Sequence, residues 1–126
     1  MKWGNKYHNR KITADGQVFD SQKEYNRFRE LQLMVRAGAI HDLFRQVRFE
    51  LIPAQYERYE RYSEKTGKRI ADGTRCVEKA VNYVADFVYW EGDYMVVEDV
   101  KGIRTDVYIL KRKLMLERHG VKIREV

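Results

Sequence analysis

The segments Val84-Ala85-Asp86-Phe87 and Val97-Glu98-Asp99-Val100-Lys101-Gly102 each place acidic side chains in a run otherwise rich in Val, Tyr, Phe and Trp. Such runs are typical of strands, and an unpaired charge buried in a strand is expensive. Residues 80–90 and 94–101, separated by Glu91-Gly92-Asp93, predict an antiparallel hairpin that carries both segments. The pattern therefore predicts a sheet with acidic groups inside it.

The alternation of side chains along these two strands predicts which charges share a face of the sheet. It predicts that Asp86 lies on the face of Val88, and that Asp99 and Lys101 lie together on one face. Glu98 is predicted to point the other way. A short hairpin brings Asp86 and Asp99 onto neighbouring strands, so two carboxylates and an ammonium are expected to meet.

The first helix is indicated by Ser21, an N-cap residue followed by Glu24 in the capping-box pattern. Apolar residues recur at helical spacing up to Gly38, the expected C-cap, and the stripe that includes Val35 also takes in Glu24. Glu24 is therefore either a capping acid or a carboxylate turned toward the sheet.

The remaining elements follow from turn signals and periodicity. We expect a strand over residues 47–52 that ends at Pro53, a solvated hairpin extension over residues 55–79, and a short hairpin around Asp15-Gly16. A second helix runs from Thr105 to Gly120 with an apolar stripe of Val107, Leu110 and Leu114, and residues 121–126 form a final strand. The predicted fold class is α/β, with a mixed central sheet of about four strands flanked by two helices.

Composition limits the class of protein. The 126 residues suit a single domain, 1–126, with a basic N-terminal arm or hairpin at 1–20. The 25 Lys and Arg against 19 Asp and Glu give a net charge of +6, which favours polyanionic partners. Cys76 alone cannot form an internal disulfide, and the three histidines lack zinc-like spacing. With no apolar stretch long enough for a membrane span or a signal peptide, we expect a cytoplasmic protein.

The paired carboxylates indicate a metal site. Asp86 and Asp99 repel each other when both are charged, and a divalent cation removes that conflict. Mg²⁺ prefers carboxylate oxygens and leaves positions open for phosphate, and Mn²⁺ is expected to substitute for it. Lys101 then lies beside the phosphate, where it orients or deprotonates an attacking water. The alternative is structural, with Asp86 capping a turn and Lys101 in an ordinary ion pair with Asp99.

Further candidates surround this group. Gln46 opens a strand beside the hairpin and is either a pocket residue or a solvated one. Basic residues near the second helix suit a nucleic-acid backbone, although such a face is often only solvated. These candidate substrate-binding residues are Arg104, Lys111, Arg112 and Lys113.

Glu24, the Val84-Ala85-Asp86-Phe87 segment and Glu98-Asp99-Val100-Lys101-Gly102 together resemble the signature of the PD-(D/E)XK nuclease superfamily, a helix glutamate, a hairpin aspartate and an (D/E)-x-K tripeptide. With Phe19-Asp20-Ser21 and Arg45-Gln46 included, the chain is similar to short phage and prophage endonucleases of the Holliday-junction-resolvase type. It is also similar to the endonuclease subunit of heteromeric transposases.

The resemblance implies a restriction-endonuclease-like core and Mg²⁺ held by Asp86, Asp99 and the backbone carbonyl of Val100. Glu24 would be a further or water-mediated ligand, and Lys101 would lie beside the attacking water. Hydrolysis would leave a 5′-phosphate and a 3′-hydroxyl.

The expected function is therefore a metal-dependent DNA endonuclease, an enzyme of phage recombination or replication acting on branched DNA. Junction resolution needs two symmetric cuts, so DNA and a second copy of the chain are the expected partners. Two alternatives stay open: a nucleic-acid-binding module of the same fold that does not cut, and a phage structural or interaction protein.

Overall fold

The computed structural model describes residues 10–126, so the part of the predicted basic arm in residues 1–9 lies outside the described residues. The elements are β1 Ile12–Ala14, β2 Gln17–Phe19, α1 Gln22–Arg36, β3 His41–Ile52, β4 Gln55–Tyr62, β5 Arg69–Glu78, β6 Val81–Glu91, β7 Tyr94–Asp99, α2 Asp106–His119 and β8 Arg124–Glu125.

The central sheet has four strands in the order β3-β6-β7-β8. β3, β6 and β7 are antiparallel neighbours, whereas β8 runs parallel to β7. The hairpins β1-β2 and β4-β5 form separate two-stranded sheets. The predicted α/β class, with a mixed four-stranded sheet and two helices, is confirmed.

The two helices cover opposite faces of the sheet. Val96 and Val97 are neighbours in β7 and therefore point to opposite faces. Val96 packs in the α1 cluster, which consists of Phe19, Phe28, Leu31, Ile40, Phe87, Tyr89 and Val96. Val97 packs in the α2 cluster, which consists of Leu51, Tyr83, Ala85, Val88, Val97, Tyr108, Met115 and Ile123.

The predicted helix ends are largely confirmed. The Ser21 hydroxyl accepts a hydrogen bond from the backbone N–H of Glu24 at 3.1 Å, and the Thr105 hydroxyl accepts one from the N–H of Tyr108 at 3.1 Å. Gly120 is the α2 C-cap at φ +65°, while Gly38, at φ +78°, lies one residue beyond the α1 C-cap. Within residues 10–126 neither helix combines the length and apolar character needed to cross a bilayer.

The predicted apolar stripes are partly wrong. Val35 is exposed at the end of α1, and Val107 and Leu110 are exposed on α2. The buried side of α2 carries Tyr108 and Met115, which are seven residues or two helical turns apart. Apolar residues are abundant in this short helix. The sequence pattern therefore fits an apolar stripe shifted by one position as well as it fits the side that is actually buried.

Two strand lengths also differ from prediction. β3 begins at His41 rather than at residue 47, because it pairs with β6 as far as Trp90. The last strand covers Arg124 and Glu125 instead of residues 121–126, because its ladder with β7 contains two residue pairs. The extension over residues 55–79 is a hairpin, as predicted, formed by β4 and β5.

Glu98 is fully buried on the α1 side of the sheet, as the alternation predicted. The Arg27 guanidinium donates two hydrogen bonds to its carboxylate, at 2.5 and 2.9 Å, and the Tyr89 hydroxyl donates a third at 2.5 Å. A buried carboxylate is tolerated when it is paired and hydrogen-bonded in this way. This contact joins α1 to β7.

We expect Arg27→Met to lower the free energy of unfolding by about 3 kcal/mol, since the buried Glu98 carboxylate would lose its guanidinium partner. The value lies at the low end for a buried pair because Arg27 is partly exposed. Urea unfolding measures the change, with Arg29→Met, an exposed arginine of the same helix, as the matched control. Equal losses in both variants would contradict the role of the Arg27 contact.

Candidate active site

Side-chain alternation breaks at Asp86 in β6. Regular alternation would put Ala85 and Phe87 on one face, yet Ala85 packs in the α2 cluster and Phe87 in the α1 cluster. Ala85 and Val88 share the α2 cluster although three positions separate them. The alternation predicted through Asp86 is therefore wrong, because the strand changes faces at this residue.

In the neighbouring strand β3, the side chains also change face at the position opposite Asp86. Leu43 packs against the α1 cluster and Val47 against the α2 cluster, although both occupy odd positions of β3. Between them Gln46 has a left-handed backbone, with φ +52°. The ladder continues on either side, with Arg45 opposite Phe87, so the two changes of face coincide. The register is the same on both sides, so the change of face occurs without an inserted residue.

The register of the β6-β7 hairpin brings Asp86 and Asp99 together. Phe87 pairs with Glu98, so the next position along the ladder puts Asp86 opposite Asp99. The backbone N–H of Val100 donates a hydrogen bond to Asp86 Oδ2 at 2.8 Å. The predicted meeting of the two aspartates is thus present in the structure.

Glu24 reaches the same place from α1. Its buried carboxylate accepts hydrogen bonds from the Asp20 backbone N–H at 3.2 Å, Arg45 Nη2 at 3.3 Å and Gln46 Nε2 at 3.1 Å. Gln46 Nε2 also donates to Asp86 Oδ1 at 3.4 Å. The Gln46 amide therefore bridges the helix acid and the strand acid, although the residue itself is exposed.

Lys101 and Asp99 form an ion pair, with 3.1 Å between Nζ and Oδ1. The Tyr83 hydroxyl donates to the other oxygen, Asp99 Oδ2, at 2.5 Å. The ammonium also lies 3.6 Å from the centre of the Tyr108 ring, a cation–π contact. Lys23 Nζ donates to the Lys101 backbone carbonyl at 2.7 Å, so both the side chain and the backbone of Lys101 are held.

All four predicted catalytic residues, Glu24, Asp86, Asp99 and Lys101, line one cleft of about 930 Å³. Val100 lines it as well. The part of Val100 that contacts Asp86 is its N–H, and a ligand role for its carbonyl stays a prediction. The chain folds so that residues from a helix and from two strands meet at one opening.

The predicted substrate-binding residues divide into two groups. Lys111 lines the cleft. Arg104 and Arg112 instead donate to the Glu125 carboxylate, at 2.6 and 3.2 Å, and neither lines the cleft. Lys113 is exposed on α2 outside the cleft lining. The α2 turn that carries Lys111 is therefore the part of this basic surface adjacent to the acids.

Sequence reasoning missed Asp20 and Tyr83 as members of this site. Asp20, Glu24 and Asp86 have carboxylate oxygens within 4.8 Å of one another. The available signal was the position of Asp20, directly before the N-cap Ser21 and four residues before Glu24. Tyr83 carried no signal, because a tyrosine in a strand is normally core and its partner Asp99 belongs to another strand.

The crowding of acids changes their protonation. Burial, together with the adjacent Asp99 carboxyl group, raises the pKa of Asp86 to about 8. Burial also raises the pKa of Glu24, against the hydrogen bonds from Asp20 and Arg45. The pKa of the Tyr83 hydroxyl is raised by burial and by the Asp99 carboxylate that it faces. Groups with such shifts in a cleft are candidates for function.

In EDTA, we expect Asp86→Asn to raise the melting temperature more at pH 8 than at pH 5. The Asp86 carboxyl ionises at about pH 3.8 when unfolded and at about pH 8 when folded, so its contribution to stability falls as pH rises between these values. Asparagine has no proton to lose and can still accept from Val100. Thermal melts of Asp86→Asn and of the exposed control Asp93→Asn measure the effect. A gain that is equal at both pH values would contradict it.

The chain matches a family model described as "Protein of unknown function (DUF1064)" over residues 4–125. This match covers nearly all of the 126 residues, including every residue of the candidate site. No curated protein and no solved structure matches the chain. The chain therefore belongs to the DUF1064 family.

Proposed function

We propose that this protein is a metal-dependent DNA endonuclease with a restriction-endonuclease-like core of the PD-(D/E)XK type. The observation that carries the proposal is the convergence of Glu24, Asp86, Asp99 and Lys101 on one cleft. These residues come from a helix, two strands and the segment after β7, so their meeting is a property of the fold. Three acids beside one amine match the chemistry of phosphodiester hydrolysis.

The donor set fits a hard divalent cation. The oxygens of Asp20, Glu24 and Asp86 lie within 4.8 Å of one another, and Asp99 lies opposite Asp86. All of these donor atoms are carboxylate oxygens, which Mg²⁺ and Mn²⁺ prefer as ligands. In the proposal Asp86 and Asp99 hold the ion, with Glu24 and the Val100 carbonyl completing its surroundings. A bound ion would neutralise phosphate charge and lower the pKa of water.

In the proposed reaction a water oxygen forms a bond to phosphorus and the bond to the 3′ oxygen breaks. The attacking water loses a proton and the leaving oxygen gains one, which yields a 5′-phosphate and a 3′-hydroxyl. The Lys101 ammonium orients the water and offsets negative charge on the phosphate oxygens. Its contacts with Asp99 and Tyr108 hold it ready for this role.

DNA is the proposed substrate because cations surround the acids. Arg10, Lys23 and Lys111 line the same cleft, where they suit flanking phosphates. We propose branched DNA in phage recombination or replication as the natural substrate. Two symmetric cuts at a junction would require two copies of the chain.

We expect Asp86→Asn and Lys101→Ala each to reduce DNA cleavage by about 10² or more, because each removes a group that acts on the reacting phosphate. Cleavage of junction, flap and linear duplex DNA is measured with Mg²⁺, Mn²⁺ or EDTA. Asp93→Asn and Lys122→Ala, which change exposed residues outside the cleft, are the matched controls.

Full activity in both site variants would refute the mechanism. Salt-sensitive DNA binding by the wild-type protein with no cleavage under any metal would instead identify a non-cutting binding module. Absence of both binding and cleavage would favour a structural or interaction protein.

We also expect millimolar Mg²⁺ or Mn²⁺ to raise the melting temperature of the wild-type protein. A ligand at a hundredfold excess over its dissociation constant adds about 2.7 kcal/mol to stability. Asp86→Asn should abolish the rise because it removes a central ligand, whereas Asp93→Asn should preserve it. The metal-site assignment fails if both variants respond as the wild type does.

A further inference from the structure

The hairpin of β4 and β5, here called the arm, makes no contribution to either buried cluster. Every β4 residue is exposed, and in β5 all residues except the half-buried Gly73 are exposed. The two strands pair with each other and with no other strand in residues 10–126. An isolated two-stranded ribbon is marginally stable in water, so an arm of this length calls for a partner.

The arm is a continuation of the strands that carry the candidate site. Ile52 pairs with Val81 at the end of the central sheet, and Gln55 pairs with Glu78 at the start of the arm. β3 and β6, which hold Gln46 and Asp86, thus pass into the arm after two residues on each side. Eight residues of β4 span about 26 Å, so the arm extends the protein by a large fraction of one DNA helical turn.

Three acids of the arm have partners within it. Glu57 pairs with Arg75, and Asp72 accepts a hydrogen bond from Arg69 at 2.9 Å. Glu60 accepts a hydrogen bond from the Tyr62 hydroxyl at 2.7 Å. These contacts reduce the capacity of Glu57, Glu60 and Asp72 to repel a polyanion.

The tip of the arm is basic. Residues 61–69 contain four Lys or Arg residues and one acid, Glu64. Arg61, Lys65 and Lys68 form no ion pair with any acid of residues 10–126. Their charges are therefore available to an external anion.

The tip is also an ordered turn. The backbone N–H of Ser63 donates to the Lys68 carbonyl at 2.8 Å, and the N–H of Gly67 donates to the Ser63 carbonyl at 2.8 Å. Gly67 has the left-handed backbone, at φ +67°, that such a turn requires. The turn holds the backbone that carries Lys65 and Lys68, which lowers the backbone entropy cost of binding.

We propose that the arm is a DNA-binding β-ribbon that holds duplex DNA at a distance from the cleft, an inference that rests on the proposed nuclease function. A two-stranded ribbon fits the major groove of B-form DNA. The basic tip supplies contacts to phosphates, and the exposed Tyr62 supplies aromatic surface beside them. The arm thereby selects the double-stranded parts of a DNA substrate.

A second copy of the chain is the competing occupant of the arm. A symmetric contact centred on the tips would bring two basic surfaces together. Like charges at an interface oppose association, whereas DNA phosphates complement them. The charge distribution favours DNA.

The test compares Lys65→Gln/Lys68→Gln with the charge-matched control Arg36→Gln/Lys122→Gln, whose residues are exposed and lie outside both the arm and the cleft. Affinity for a labelled 30-base-pair duplex is measured by fluorescence anisotropy in EDTA across a salt series. Each lost phosphate contact should flatten the slope of log K against log salt by about 0.9. At 0.15 M salt this is about a fivefold loss of affinity per contact, and the control should match the wild type.

Unchanged affinity and slope in the arm variant would overturn the proposal. A change of oligomeric state in size-exclusion chromatography, with DNA affinity preserved, would also overturn it and assign the arm to contact between copies. Because binding is measured without metal, the arm and the nuclease can fail separately. Arm-dependent binding without cleavage in Mg²⁺ refutes only the nuclease, whereas cleavage with arm-independent binding refutes only the arm.

Discussion

The candidate site depends on one backbone constraint, the left-handed conformation of Gln46 opposite Asp86. A non-glycine residue in this conformation costs about 1–2 kcal/mol, which the regular pairing on either side of it must offset. The change of faces at this level lets acids from the two sides of the sheet approach each other. Glu24 comes from the α1 side and Asp99 from the α2 side, with Asp86 between them. In a regularly alternating sheet, the sheet itself would separate these two carboxylates.

The elements predicted from local signals are the ones that the structure confirms. Ser21, Thr105 and Gly120 act through their own backbone and side-chain chemistry, which a single sequence displays. The meeting of Asp86 with Asp99 was predictable because one short turn determines the register of the hairpin. The buried side of α2 was not, because Tyr108 and Met115 are selected by the shape of the sheet that they cover. Tertiary packing decides between apolar stripes that local periodicity leaves equivalent.

The same distinction applies to the site residues. The face change at Gln46 has no local signal, since glutamine is an uncommon residue for a left-handed backbone and no turn surrounds it. Consequently the sequence leaves open whether Gln46 is a pocket residue or a solvated one, although its amide links Glu24 to Asp86. Tyr83 belongs to the site through its contact with Asp99 on another strand. Asp20 belongs to it because its carboxylate lies near those of Glu24 and Asp86 at the start of the helix. Arg104 and Arg112 do not belong to the site because they form ion pairs with Glu125, which the parallel strand β8 brings close to them.

β7 ends with two adjacent acids that point to opposite faces of the sheet, Glu98 toward Arg27 and Asp99 toward Lys101. A slip by one residue would exchange them, sending Asp99 toward Arg27 and Glu98 into the cleft. The shorter aspartate would reach the guanidinium poorly, and the longer glutamate would crowd Lys101. Arg27 and Tyr89 therefore disfavour the slipped register, because they bind the longer glutamate better than the aspartate. The alignment of the acids in the cleft is therefore set in part by contacts on the opposite face of the sheet.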